Sequence, residues 1–301
     1  MTRKASIDIG TNSTRLLIAD IDTKGTIIPI LHHERITRLG SGIDSSGYLV
    51  FPAMERVIQV LGEYRTIAEK MGTGSFTVFA TSATREARNR NKFLTLIRER
   101  SGLSCRILTG EEEARLSFLG CISDMESQQQ VLVCDIGGGS TEFVFGDKQK
   151  MIMAKSLNIG SRRMHSAFLH TDPVSEEELE SLRTHLYEHL HTELAQFPQV
   201  VSLCVCVGGT ATTLATMDVG LDFSQAEKAH QYLLTKTNLE SLIHELAEKS
   251  VEERKSLIGL NPERADVILA GAMIVQAVLQ RFGCSTTQIS IRDLLFGVLL
   301  E

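Results

Sequence analysis

One local pattern occurs twice in this chain: a short apolar strand ending in aspartate, a glycine turn, hydroxyl residues, then a second apolar strand. The first copy runs Ala5 Ser6 Ile7 Asp8 Ile9 Gly10 Thr11 Asn12 Ser13 Thr14 Arg15 Leu16 Leu17 Ile18. The second runs Val131 Leu132 Val133 Cys134 Asp135 Ile136 Gly137 Gly138 Gly139 Ser140 Thr141 Glu142 Phe143 Val144. Successive N–H groups and hydroxyls in such a turn form a concavity that cradles phosphate oxygens. The glycines are expected to supply positive φ and close approach to a ligand. An aspartate beside a bound phosphate is repelled unless a cation lies between them. One copy alone reads equally well as an ordinary glycine turn with a surface carboxylate. Two copies, each opening an αβ-rich half, point to two related lobes.

This arrangement resembles the actin, sugar kinase and heat-shock chaperone superfamily. The resemblance implies an α/β fold of two ribonuclease H-like lobes, with an active-site cleft where the lobes close on phosphate from either side. A length of 301 residues suits two domains. The polar stretch 123–130 lacks periodic apolar residues and marks the expected boundary, giving lobe I as 1–125 and lobe II as 126–301, with a terminal helix free to pack back on lobe I. Beyond the paired hairpins no internal repeat is visible.

The order of elements supports the same architecture. A third strand is expected at 26–35, a glycine-rich bend at 40–47, and a helix at 52–71 with Val57, Ile58, Leu61 and Ile67 at helical spacing. A buried strand at 76–80 leads into the polar segment 81–89; then come a helix, a short strand at 105–108 and a helix at 111–121. The second half repeats hairpin, strand (151–157), helices, strand (201–207), helices, strand (287–291) and a terminal helix. Alternation of helix and strand after each meander implies a parallel portion in each sheet.

Charge is uneven. Residues 1–106 hold 16 Lys or Arg against 10 Asp or Glu, and the rest hold 15 against 27. The first lobe is therefore the better holder of a polyanion, and the acidic second lobe argues against duplex nucleic acid. No long apolar run precedes the first charged residue, so neither a signal peptide nor a membrane anchor is expected, and the chain reads as cytoplasmic. The six cysteines form no CxxC pair and are expected to be reduced core thiols. His185 and His189, four apart with His191 nearby, have zinc-ligand spacing but read more simply as solvated helix residues.

Glu111, Glu112 and Glu113 begin a helix, where acidic side chains favour the dipole. In a phosphate site, one carboxylate at such a helix start is also placed to activate a water.

Several segments together resemble the exopolyphosphatase and guanosine pentaphosphate phosphohydrolase family. They are 8–13, Arg38 Leu39 Gly40, Ala80 Thr81 Ser82 Ala83 Thr84 Arg85 Glu86 Ala87, Glu112 Glu113 Ala114 Arg115 Leu116, and Asp135 to Glu142. Gly208 Gly209 Thr210 and Asn261 Pro262 Glu263 Arg264 Ala265 Asp266 also match, so the resemblance runs from about residue 4 to the C-terminus. It implies that Glu113 is the base on the attacking water and that Asp135 and Glu142 hold Mg2+ or another divalent cation. Phosphates would be contacted by Asp8, Gly10, Thr11, Asn12, Ser13, Arg38, Arg85, Gly137, Gly138, Gly139, Ser140 and Thr141. Gly208, Gly209 and Thr210 stand where superfamily kinases hold adenosine; a packing turn is the alternative.

The chain departs from the family in having Leu295 where an arginine is usual, with Arg292 nearby as a stand-in, and it resembles the short family form without a helical C-terminal domain. The implied activity is metal-dependent hydrolysis of terminal phosphoanhydride bonds of inorganic polyphosphate. Guanosine pentaphosphate is the alternative substrate; a small-molecule kinase and an actin-like nucleotide switch are rivals of other classes. The oligomeric state is open, a homodimer being one arrangement.

Overall fold

The computed structural model describes residues 1–125 and 129–301, so the polar boundary stretch lies partly outside the described residues. The chain divides into two compact units, Met1–Ser123 with Leu294–Glu301, and Asp124–Asp293.

The first unit is built on strands β1 (Thr2–Ile9), β2 (Ser13–Ile21), β3 (Ile27–Ile36), β4 (Phe76–Ala80) and β5 (Cys105–Ile107), in the order β3-β2-β1-β4-β5. β1, β2 and β3 form an antiparallel meander, while β4 runs parallel to β1 and β5 parallel to β4. Parallel neighbours need crossovers. Helix α1 (Phe51–Lys70) supplies the first, and α2 (Ser82–Glu86) with α3 (Arg90–Ser101) supplies the second.

Alternation along the strands gives the sheet two apolar faces. Ile7, Ile9, Leu16 and Ile18 pack with Val57, Ile58, Leu61 and Tyr64 of α1. Leu17, Ala19 and Phe79 face the other way, against Leu116 of α4 (Gly110–Ile122) and the apolar C-terminal segment around the single turn Leu294–Gly297. The closeness there depends on Gly297: a Cβ at this position would lie 1.8 Å from the Leu116 carbonyl oxygen. Overpacking a fitted core costs about 1–3 kcal/mol, so Gly297→Ala is expected to lower the unfolding midpoint in urea by that amount of free energy. An unchanged midpoint would show that the C-terminal segment is not anchored on α4.

The second unit contains β6 (Val131–Ile136), β7 (Thr141–Gly146), β8 (Met151–Leu157), β9 (Cys204–Val207), β10 (Leu233–Thr235) and β11 (Thr286–Ile289), in the order β10-β11-β9-β6-β7-β8. Reversed, this is the plan of the first sheet: an antiparallel meander β8-β7-β6 followed by parallel β9 and β11, with antiparallel β10 added at the edge. Its helices are α5 (Ser161–Phe168), α6 (Glu176–Glu193), α7 (Gly208–Val219), α8 (Lys236–Glu248) and α9 (Ile268–Arg281). α9 is buried nearly all round, as its continuous apolar sequence requires, and packs against α5, α6 and α8.

Five details differ from expectation. The bend at 40–47 contains a helical turn, Ile43–Ser46, the strand at 201–207 is paired only over Cys204–Val207, the terminal helix is a single turn, the polar segment 81–89 contains α2, and β10 is additional. All six cysteines are free, with Cys134, Cys204 and Cys206 buried in strands. His185 and His189 stack, ring centroids 5.6 Å apart. Among the described residues no group of three or more His, Cys, Asp or Glu has the geometry to hold a metal, and no helix is long and apolar enough to cross a membrane.

Candidate active site

Both hairpin turns are closed by the same hydrogen bond. Gly10 N donates to Ser13 O at 2.9 Å, and Gly137 N to Ser140 O at 3.0 Å. Neither Gly10 nor Gly137 takes positive φ, contrary to the sequence expectation. Room is tight instead, since a Cβ on either would lie 3.0 Å from the accepting carbonyl oxygen. Positive φ falls elsewhere, at Gly208 (89°) and at the half-buried Arg38 (49°). For a long side chain that conformation costs about 1–2 kcal/mol, and it is held by Arg38 N donating to Asn12 O at 2.8 Å.

The turns are also capped alike. Thr37 N and Arg38 N donate to Asn12 O (3.0 and 2.8 Å), and Gly40 N donates to Thr11 O (2.9 Å). In the second unit Ser161 N donates to Gly137 O (2.9 Å), and Arg162 N and Arg163 N to Gly138 O (2.9 and 3.1 Å). Arg163 Nε donates to Gly139 O at 2.8 Å. In a trans peptide the N–H points opposite to the preceding carbonyl. The amides of Asn12 and Ser13, and those of Gly138, Gly139 and Ser140, are thereby turned away from the caps. Each loop thus presents a face of N–H donors, the feature an oxyanion needs.

A second repeat underlies this geometry. After the third strand of each meander a short matching motif lies at the cap, Leu39 Gly40 Ser41 in the first unit and Ile159 Gly160 Ser161 in the second. A Cβ on Gly40 would lie 2.3 Å from Thr11 Cγ2, and one on Gly160 2.4 Å from the Gly138 carbonyl carbon. The expectation of no repeat beyond the hairpins is corrected accordingly. Next to the caps, Thr14 and Thr141 occupy equivalent positions: Thr14 Oγ1 bonds Thr37 Oγ1 at 3.0 Å, and Thr141 Oγ1 donates to Ile159 O.

The hairpins differ in charge. In the first, Asp8 stands opposite Arg15 across β1 and β2, and Arg15 Nη2 and Nε approach Asp8 Oδ2 at 2.6 and 3.1 Å. In the second, Asp135 stands opposite Glu142, the two being 7% and 2% exposed. Glu142 Oε1 accepts from Ser156 Oγ at 2.7 Å. Like charges directly opposite in an antiparallel pair are unfavourable, more so when buried.

The Gly208 Gly209 Thr210 turn opens α7 beside Asp135. A Cβ on Gly208 would lie 2.8 Å from Asp135 Oδ1, and one on Gly209 2.1 Å from Arg264 Nη2. Thr210 is buried, and a Cβ on Gly271 of α9 would meet its Cγ2 at 2.6 Å. Gly208, with φ 89°, and Gly209 thus lie close against Asp135 and Arg264.

The three glutamates of α4 have separate surroundings. Glu112 forms a capping box with Thr109, accepting from Thr109 N at 2.7 Å while Thr109 Oγ1 accepts from Glu112 N at 3.1 Å. The hydrogen bond from the Thr109 backbone holds the Glu112 carboxyl below the usual range. Glu111 is exposed. Glu113 is 7% exposed, and Arg85 Nη1 donates to its Oε2 at 2.7 Å and to Leu108 O at 3.0 Å. Arg85 belongs to α2, whose Ala83 N reaches Thr11 Oγ1 at 3.3 Å, so the first hairpin, α2 and Glu113 are tied together within one unit.

Leu295 is fully buried in the layer between the first sheet and α4, and its carbonyl accepts from Ser6 Oγ at 2.8 Å. A leucine there fills the core. Arg292 Nε lies 3.1 Å from Asp124 Oδ2, which also meets His230 Nε2 at 2.7 Å. Burial disfavours the Asp124 carboxylate, but His230 and Arg292 outweigh it and hold the carboxyl below its usual range.

The model of the Ppx/GppA phosphatase family matches residues 17–301. The bifunctional 3-dehydroquinate synthase/phosphatase of Fusobacterium nucleatum is 34% identical over 99% of this chain and 46% of its own length, so the chain spans about half of that relative. Exopolyphosphatase 2 of Mycobacterium tuberculosis is 32% identical over 100% of this chain and 98% of the relative. The crystal structure of the Aquifex aeolicus member of the Ppx/GppA family has a TM-score of 0.80 at 35% identity, covering 99% of this chain and 96% of that one. The α/β fold of two units is that of the solved Ppx/GppA structure. A match across both units, a relative of the same length and a common fold agree on one assignment: this chain belongs to the Ppx/GppA phosphatase family.

Proposed function

We propose that this chain is an exopolyphosphatase, a metal-dependent phosphoanhydride hydrolase that removes terminal phosphate from inorganic polyphosphate. The observation that carries the reading is the second hairpin, where buried Asp135 and Glu142 stand opposite each other beside a loop whose amides are turned away from its capped carbonyls. Relatives that share nearly the full length and are named exopolyphosphatases support polyphosphate as substrate.

The residues divide the work. Amides of the two loops, with Thr11, Asn12, Ser13, Ser140 and Thr141, bind phosphate oxygens, and Arg38 and Arg85 add positive charge. Glu113 takes the proton of a water whose oxygen attacks the terminal phosphorus; the P–O–P bond breaks, releasing orthophosphate and a chain one unit shorter. Asp135 and Glu142 fit a hard divalent cation such as Mg2+: both are oxygen donors, and Mg2+ commonly takes only one or two carboxylates and fills its shell with water and phosphate oxygens. When bound, the cation offsets phosphate charge and favours the departing oxygen.

The test is phosphate release from long polyphosphate, short polyphosphate, guanosine pentaphosphate and ATP, with and without magnesium. Polyphosphate is expected to be cleaved fastest, and excess chelator to stop it. Faster release from guanosine pentaphosphate would transfer the assignment to the second family activity. ATP consumption that requires an acceptor, without polyphosphate cleavage, would replace it with a kinase.

A further inference from the structure

We infer that Arg163 is a positioning residue for phosphate binding, acting through the peptide between Gly139 and Ser140; this rests on the reading that the 137–141 loop binds phosphate. Each loop is capped from the segment that follows the third strand of its meander, but the third carbonyl is held differently. In the first hairpin two backbone amides, Thr37 N and Arg38 N, fix Asn12 O. In the second, the equivalent Gly139 O receives the Arg163 side chain, Nε at 2.8 Å. There, backbone amides cap Gly137 O and Gly138 O.

The difference matters because of the residues in the loop. Gly137, Gly138 and Gly139 have no side chains to restrain their peptides, and glycine visits many backbone conformations at similar energy. The direction of the Ser140 N–H is tied to that of Gly139 O by peptide planarity. The hydrogen bond from Arg163 Nε therefore aims the Ser140 amide. Arg163 N also caps Gly138 O at 3.1 Å, so backbone and side chain of one residue hold two successive peptides. Its neighbour Arg162 places Nη2 3.2 Å from Asp266 Oδ2.

A test separates the hydrogen bond from charge and from packing. In Arg163→Met the stem is kept and the donor lost. In Arg163→Gln the amide nitrogen falls close to the place of Nε, so the donor is kept and the charge lost. With polyphosphate as substrate, Arg163→Met should raise KM about tenfold or more, the scale of one charge-assisted contact, with kcat within about threefold. The inhibition constant of inorganic phosphate should rise in parallel. Arg163→Gln should keep both within about threefold of the parent.

Equal KM and phosphate inhibition in folded Arg163→Met and the parent would overturn the assignment, as would Gln behaving like Met. A purely structural role would lower the unfolding midpoint and leave both constants unmoved. Absence of phosphate release by the parent protein from every polyanion would overturn the functional reading instead, which keeps the two failures distinct.

Discussion

Replacing Glu113 by Gln is expected to lower kcat by roughly 10² to 10⁴, with KM changed by less than about threefold. The argument separates three adjacent glutamates that sequence alone leaves alike. Glu112 is committed to the capping box, and exposed Glu111 has only the helix dipole, worth about 0.3–1 kcal/mol. Glu113 is buried in the first turn and held by Arg85 at 2.7 Å, so its orientation is fixed. Burial of a carboxylate is costly unless it is paired and used. If Glu113 merely anchored the helix, Glu113→Gln would lower the unfolding midpoint and leave kcat near that of the parent. Steady-state phosphate release on folded protein decides between these outcomes. On the proposed reading the pairing also gives Arg85 a second relation to catalysis beyond its phosphate contact, because the same guanidinium would orient the proposed base.

The hairpins were legible because strand, turn and strand are contiguous, and their sheet follows from the turn geometry. So was the parallel portion, since helices of suitable length separate the strands. The caps were not legible in the same way. Gly40 and Gly160 matter through contacts with residues far from them in sequence, and the short motifs Leu39 Gly40 Ser41 and Ile159 Gly160 Ser161 gain meaning only once the two meanders are superimposed. Position supplied the one available signal, because each motif comes two or three residues after the strand that follows a hairpin.

Glycine itself was misread for a related reason. Composition suggests positive φ, but at Gly10 and Gly137 the constraint is distance to the carbonyl three residues ahead. Positive φ is adopted instead by Arg38, a residue type for which nothing local predicts it. Leu295 shows the limit of motif comparison. Absence of the usual arginine looks like a missing contact, whereas the side chain fills an apolar layer and Arg292 is engaged by Asp124. The short helix Ser82–Glu86 escaped because five polar and small residues carry no amphipathic period.

The charge difference between the hairpins leads to the second large effect. Where the first hairpin sets Arg15 against Asp8, the second sets Glu142 against Asp135 at the same register position. On the proposed reading the paired carboxylates of the second hairpin serve as oxygen donors to a divalent cation. Asp135→Asn and Glu142→Gln should therefore each raise the magnesium concentration for half-maximal phosphate release by about tenfold or more, since each removes one anionic oxygen donor from a hard-cation site.

Binding to the folded state alone also stabilises, by about 2.7 kcal/mol when the ligand is at a hundred times its dissociation constant. Magnesium should accordingly raise the unfolding temperature of the parent protein by several degrees, at roughly 2–4 °C per kcal/mol. The same addition should raise the unfolding temperature of either variant by about half as much or less, because a site weakened tenfold then sees only about ten times its dissociation constant. Thermal unfolding measured without substrate excludes magnesium carried in on polyphosphate. Full turnover in excess chelator would remove the metal from the mechanism. An unchanged magnesium requirement in both folded variants, together with no thermal shift in the parent, would place the cation on the substrate and return Asp135 and Glu142 to a structural role.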